Sequence, residues 1–466
     1  MAIDAQHPKF EEYYPTWKKI DDITRIKNLG DYLIRLSPND KSVENSDRND
    51  QYKKRAIFYA IAQQTVVGHL GLMFAKPPKL EVPTTLEYLE DNSDGAGNSI
   101  YQQAQGVADD VDRFSRAALV VSYPRTEGPV SRQEIQEGRM VATIQRLPPT
   151  SVINWRMTQI GAKVVLSLVV IYEQDEQIGD DGYSVKNVPQ IREMYLDEGM
   201  IYRERIWQKD KDDEWVASDE YTPTDAQGST WNEIPFTFVG SENNDPAVDS
   251  PNMWPLVELN IGHYRNSADF EDNVWYCGQA QPWMSGITQS HLDLMKANNM
   301  YVGSRNVLGV PSGESFGIEA APENPLVKQA MMDKVDLMIQ LGARMIQPGS
   351  AAKTAELSAG EREVQHSTLS LIAANISDAY TKALGWVGKY MGTTDEAYFT
   401  INQDFVDPKA DAQELQAIMA GVIQGNMPIG DYVRYMKRRN LFDPEKPDEE
   451  YLEEIDTSGV SPLGFE

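Results

Sequence analysis

The stretch "WPLVELNIGHYRNSADFEDNVWYCGQAQPWMSG", residues 254–286, changes its hydrophobic period partway along, and that change decides how the chain is read. Trp254, Val257, Ile261, Tyr264, Ala268 and Trp275 recur at three, four or seven residues, the spacing of one face of a helix. Ser250 is placed to cap this helix, and Pro251 fits its first turn. Beyond Cys277 the period is lost. Short apolar pieces, "PWMSGI" and "NVLGVP", flank the polar "QSHLDLMKANNM". A long helix is therefore expected, then a small insertion of strand, helix and strand running to about residue 324.

Helical spacing returns in "LVKQAMMDKVDLMIQLGARM", where Met331, Val335, Met338, Leu341 and Met345 share one side. The methionines read as adaptable packing residues. A small-residue stretch follows, with Gln347, Ser350, Lys353 and Thr354, and Lys353 is its single cation. Ser358 and Glu361 then have the S-x-x-E spacing of a capping box. They are expected to open a helix of about nine turns. Its stripe is Leu369, Ile372, Ile376, Ala379, Ala383 and Val387.

On the N-terminal side, residues 47–74 read as one helix, with Ala56, Ala60, Val67 and Leu70 on one face and Pro77 and Pro78 as the stop. From Leu80 to Arg203 the pattern becomes strand-like, in "RAALVVSYP", "MVATIQRLPP", "SVINWRM", "AKVVLSLVVIYE" and "QIREMYL". One helical piece, "SIYQQAQGVADDVDRFSR", interrupts them. Two more strand-like pieces, "MIYRERIWQ" and "IPFTFVG", lead to the turn-rich "SENNDPAVDSPN", where a domain edge is expected. After the third long helix, "EAYFTINQDF" alternates like a strand, and three short helical pieces close the sequence. The fold class is α+β.

Composition narrows the function. At 466 residues the chain has room for roughly two to four domains of ordinary size. Its 41% hydrophobic and 24% charged residues are those of a folded globular protein. The N-terminus lacks the basic start and apolar run of a secretory signal, and no apolar run is long enough to span a membrane. The single cysteine, Cys277, excludes an internal disulfide and cysteine-rich zinc sites and reads as a small buried hydrophobe. A formal net charge of −28 argues against a protein that grips nucleic acid by neutralising phosphates.

Signatures of catalysis are mostly missing. His7, His69, His263, His291 and His366 include no pair spaced as metal ligands on one helix face. Ser350 to Lys353 matches the S-x-x-K of serine acyl enzymes, but the companion S-D-N and K-T-G elements are absent. No phosphate loop is present. The acid run "DPEKPDEEYLEEID" and the short "KRR" at residues 437–439 read as solvated helix faces. No enzyme, cofactor or metal is expected.

The order of parts, together with residues 254–286, "KTAELSAGEREVQHSTLSLIAANISDAYTKAL" and "FTINQDF", resembles the portal proteins of tailed bacteriophages, in the compact form also found in prophages. "EEYYPTWKKIDD" and "ALVVSYP" add to the likeness, which covers most of the chain. The resemblance implies a mixed α/β wing at residues 1–251, a stem helix at 252–281, a clip at 282–324 and a second stem helix at 325–345. A tunnel loop would occupy 346–357, the wing would resume at 358–407, and 408–466 would form a short helical crown.

It further implies a homo-oligomeric ring, usually twelvefold, at a capsid vertex of the virion, assembled in the host cytoplasm. Double-stranded DNA would pass through its channel without sequence specificity. The terminase large subunit, capsid or scaffolding protein, and neck or tail adaptors would be partners. Gln347, Ser350, Lys353 and Thr354 would face the DNA. Trp254, Ile261, Tyr264, Trp275, Met331, Val335, Met338 and Leu341 would pack the stem, and Trp283, Met284, Val310 and Phe316 would form the clip contact. The competing readings are another virion component, such as a capsid or neck protein, and, remotely, a serine acyl enzyme using Ser350 and Lys353.

Overall fold

The computed structural model describes residues 3–36, 39, 42–125, 140–179, 181–278, 281–286, 288–297, 313, 315–319, 325–342, 355–403, 428–438 and 446–457. The chain divides into two compact units, Met1–Asn402 and Gln403–Glu466.

In the first unit, β2 (Arg116–Ser122) is the central strand of a three-stranded antiparallel sheet. Its flanks are β3 (Thr143–Leu147) and β9 (Phe236–Gly240), with Ala118 paired to both Leu147 and Phe238. Six consecutive residues of β2 are buried, as its unbroken apolar run requires when both faces are covered. Against this sheet pack α4 (Ile100–Phe114) and the long α8 (Ala355–Met391). The core there includes Val107, Val111, Leu119, Ile144, Phe238, Ile372, Ile376 and Leu384.

A second sheet is a five-stranded meander of β4 (Val152–Ile160), β5 (Lys163–Ile178), β6 (Val185–Leu196), β7 (Tyr202–Lys209) and β8 (Trp215–Ala217). β5 and β6 form a long hairpin paired from Leu168↔Tyr195 out to Ile178↔Val185. Its proximal half is buried and its distal half is mostly exposed. Between the N-terminal and central parts lie α1 (Pro8–Thr24), α2 (Val43–Arg55), α3 (Ile61–Met73) and the short β1 (Lys79–Glu81), which pairs with β12 (Tyr398–Thr400).

α5 (Trp254–Cys277) has the length that the spacing predicts. After it come β10 (Gln281–Ser285), α6 (Gln289–Ala297) and β11 (Ser315–Glu319), the strand, helix and strand expected there, with β10 and β11 antiparallel. α7 (Pro325–Gln340) then packs on α5. The second unit contains α9 (Ile429–Arg438) and α10 (Asp448–Thr457), joined by the Lys437–Asp448 ion pair at 2.5 Å.

Several expectations are corrected. α1 is a helix that the sequence reading missed, in a segment of aromatics and charges with Pro15 inside it. Its Trp17 is buried and donates from Nε1 to the Phe114 carbonyl at 3.2 Å. Residues 47–74 do not form one helix; α2 and α3 are separated by the extended residues 56–60. Ala62, Thr65 and Val66 face inward, whereas Val67 is 62% exposed. α5 is capped at Met253 with Pro255 in its first turn, so Ser250 and Pro251 lie upstream of it. α8 begins at Ala355, which puts Ser358 inside the helix rather than at its cap. The capping box is at α4 instead, where Ser99 Oγ accepts from Gln102 N at 3.2 Å and Gln102 Oε1 accepts from Ser99 N at 3.1 Å. The 241–252 turn is tied into the first unit: Asn244 donates to the Asn375 carbonyl, and Asn252 N donates to Ser115 Oγ.

Candidate assembly surface

α5 has two working faces. On one, polar side chains clamp the 56–62 segment. Ser267 Oγ donates to the Ile57 carbonyl at 2.5 Å and accepts from Ile57 N at 2.9 Å. Asn260 donates to the Tyr59 carbonyl at 2.9 Å and accepts from Ala62 N at 3.1 Å. These side chains satisfy backbone groups that a continuous helix would have paired internally, which is why α2 and α3 are separate. Further along, Asp272 takes Arg48 in a two-pronged ion pair and also meets Arg55 at 3.1 Å. Tyr52 donates to Asp269 at 2.7 Å.

The other face of α5 receives α7. Met338 is fully buried there, while Met331 and Val335 are half-buried. Lys334 Nζ donates to Asn266 Oδ1 at 2.5 Å. Close approach is possible because residue 262 is glycine; a Cβ there would come within 3.1 Å of the Lys334 stem. His263 is buried beside this joint, tilted against Tyr59 with ring centroids 4.6 Å apart. Burial first, and the Lys334 charge second, hold its pKa below the ordinary histidine value.

Of the expected stem residues, Ile261 and Tyr264 are buried, and Trp254 is half-buried with Lys19 Nζ 5.4 Å from its ring. Trp275 and Leu341 are 41% and 51% exposed within the subunit. The Trp275 ring is covered on one side by the Arg55 guanidinium, 4.0 Å from its centroid. α7 also carries apolar residues outward. Leu326 and Leu337, eleven residues apart and so on one face, are 73% and 46% exposed, and Leu341 follows just past the helix end.

In the β10–β11 hairpin, Trp283 pairs with Gly317, and its ring lies where a Cβ at 317 would come within 2.6 Å. Trp283 is 46% exposed and Phe316 is half-buried. Met284 pairs with Phe316 through the backbone; its side chain lies outside the described residues, as do the Cys277, His291 and His366 side chains. Val310, Gln347, Ser350, Lys353 and Thr354 also lie outside them; of the expected tunnel loop, residues 355–357 are described and open α8.

Elsewhere, His7 Nδ1 accepts from Lys9 N to cap α1, and its ring stacks on Trp155 at 3.9 Å. His69 on α3 meets both carboxylate oxygens of Asp112 on α4, at 2.9 and 3.0 Å. An open polar cleft of about 560 Å3 is lined by Asp94, Asn98, Gln103 and Arg146, and Arg146 is bound to the buried Asp110 at 2.8 Å. Among the described residues no cluster of three metal-ligating side chains occurs, and no helix is long and apolar enough to cross a membrane.

Sequence comparison finds a family described as "Domain of unknown function (DUF4055)" at residues 252–391, the span from the start of α5 to the end of α8. No curated protein matches the chain. Among solved structures, the chain is similar to one in the virion of a native gene transfer agent particle, at 12% identity, covering 81% of this chain and 88% of that one with a TM-score of 0.41. It is similar to one in the neck of the native particle computed with C12 symmetry, at 10% identity, covering 79% and 86% with a TM-score of 0.41. A third is in the neck of the empty particle computed with C6 symmetry, at 12% identity, covering 80% and 87% with a TM-score of 0.40. The functional reading therefore rests on the chain's own residues.

Proposed function

We propose that the chain is a portal-type structural subunit that forms a ring of about twelve copies at a capsid vertex, its rotation closing a repeated heterologous contact. The observation that carries this is α7. One side of it packs on α5, and Leu326, Leu337 and Leu341 beside that face are left to solvent. Leu337 and Leu341 are one turn apart and Leu326 is three turns before them; exposed apolar residues so placed are candidates for a contact surface, and a neighbouring subunit's helix would cover them.

In this reading α5 and α7 are the stem, 282–324 the clip, 346–357 the tunnel loop, 1–251 with 358–407 the wing, and 408–466 the crown. Double-stranded DNA would pass through the channel, with Lys353 touching phosphate, while terminase and neck or tail proteins would meet the clip around Trp283 and Phe316. The charge of −28 per copy gives the ring a wall to which DNA does not adhere. Electron microscopy of the purified chain tests the proposal, since a ring with an axial channel separates it from a capsid-shell or neck component.

A further inference from the structure

The β4–β5 and β5–β6 turns lie at opposite ends of the five-stranded sheet, and each end has a surface feature that the fold itself does not use. At the β4–β5 end there is a groove of about 260 Å3 between β4, β5, β9 and α8. Ile234, Phe236, Phe238 and Trp386, all buried, line it, with Met157 and Leu166 beside them and the 63% exposed Val164 at its rim. One cation, Lys382, also lines it, its Nζ 5.1 Å from the Trp386 ring. Lys382 makes no ion pair within 4 Å among the described residues; Glu233, which also lines the groove and is paired to Lys389 at 2.5 Å, acts on it through its charge. The groove is smaller than pockets that take drug-sized ligands, and it suits one or two side chains.

At the other end, the β5–β6 tip presents Ile178, Tyr183 and Val185, which are 75%, 94% and 60% exposed. Ile178 and Val185 pair across the strands and Tyr183 stands in the turn that joins them, so the three share one exposed tip, called the knob below. The knob is fixed in shape: Asp181 Oδ1 accepts from Tyr183 N at 3.0 Å and from Ser184 N at 2.8 Å, and Gly182 supplies a φ of +72°. It is also acidic. Asp175, Glu176 and Asp181 are close to it in sequence, against Lys186. The backbone amides and the Ser184 hydroxyl that bind Asp181 hold its pKa below the usual carboxylate range, so this acid stays ionised.

We infer that the β5–β6 knob of one copy docks in the β4–β5 groove of the next copy, with Tyr183 over the apolar floor and the acidic tip facing Lys382. This rests on the ring reading above. A copy cannot satisfy itself, because Val164 and Ile178 are fourteen residues apart on one strand, about 45 Å. The two surfaces are different and lie at opposite ends of one sheet, so their contact is heterologous and propagates from copy to copy. The occupant is a second copy because the acidic, aromatic tip complements an apolar groove whose exposed lysine makes no close ion pair among the described residues.

The test is disulfide trapping in full-length protein carrying Cys277→Ser, with Tyr183→Cys and Val164→Cys combined. Mild oxidation of the assembled protein should give a ladder of covalent multimers beyond the dimer on a denaturing gel, and neither single variant should give one. Tyr183→Ala and Lys382→Glu, both at exposed positions, should each raise the concentration needed for assembly at least tenfold with an unchanged circular dichroism spectrum. Rings in the micrographs without a ladder, and with Tyr183→Ala assembling normally, would overturn the docking contact and leave the ring reading standing. A wild-type chain that stays monomeric would overturn both.

Discussion

Ser267 Oγ holds both backbone polar atoms of Ile57, donating to the carbonyl and accepting from the amide across 210 residues of sequence. The contact sets the extended link between α2 and α3. Removing the hydroxyl would leave two backbone groups without a partner, a cost of roughly 1–3 kcal/mol. Ser267→Ala should therefore lower the urea midpoint of the subunit, whereas Ser267→Thr, which keeps the hydroxyl, should lose less.

Two helical glycines should respond in opposite ways to alanine. Gly106 on α4 lies under Arg146, whose guanidinium would sit 1.9 Å from an added Cβ as it reaches the buried Asp110. Gly106→Ala should push that guanidinium aside and weaken its pair with the carboxylate, which keeps the longer Arg25 contact at 3.7 Å, costing roughly 1–3 kcal/mol. Gly71 on α3 has open space around it, so Gly71→Ala should be neutral or stabilising by up to about 1 kcal/mol. Chemical denaturation of the two variants side by side checks the contrast.

Burial lowers the pKa of His69, but its ion pair and hydrogen bond with Asp112 prevail, and the net effect is to raise it above the ordinary 6.5. A raised folded pKa means stability that is fully present below pH 6.5 and is lost as pH rises through the folded value. Wild type should thus lose stability through that window, and His69→Gln should flatten the loss. Thermal melts of both proteins from pH 5 to 9 measure it.

Leu326 and Leu337 contribute little inside the subunit and should matter between subunits. Leu337→Glu, or Leu326→Glu with Leu337→Glu, should abolish assembly while leaving the melting temperature of the monomer within about 2 °C, as surface changes do. Light scattering together with differential scanning fluorimetry reads both quantities.

For the loop, Lys353→Glu should impair DNA packaging or retention while leaving assembly intact, because one basic group in a small-residue stretch can touch phosphate without building the fold. Packaging assays with heads carrying this variant measure it, and normal packaging would remove Lys353 from any functional role.

The long helices were legible because α5, α7 and α8 bury one stripe each, and a 3.6-residue period survives in the sequence wherever one face is buried. The β10–α6–β11 insertion was legible through the loss of that period. The break at residues 56–60 was not, since its cause is Asn260 and Ser267, some two hundred residues away. Nor was α1, whose buried Phe10, Trp17 and Ile20 are diluted by charges and interrupted by Pro15. Along the stem stripe Ile261, Tyr264 and Met338 are buried within the subunit while Trp275 and Leu341 are exposed, because periodicity gives a face and not the extent of its cover. The groove at Lys382 was out of reach, being assembled from separate segments between Met157 and Trp386.

The central claim is the ring, and class averages of the purified full-length chain in negative stain test it most directly. The account predicts closed rings of about twelve subunits, related by one heterologous contact, with an open axial channel. A chain that stays monomeric at micromolar concentration under every salt and scaffold condition, or that forms shells or rings without a channel, would contradict it.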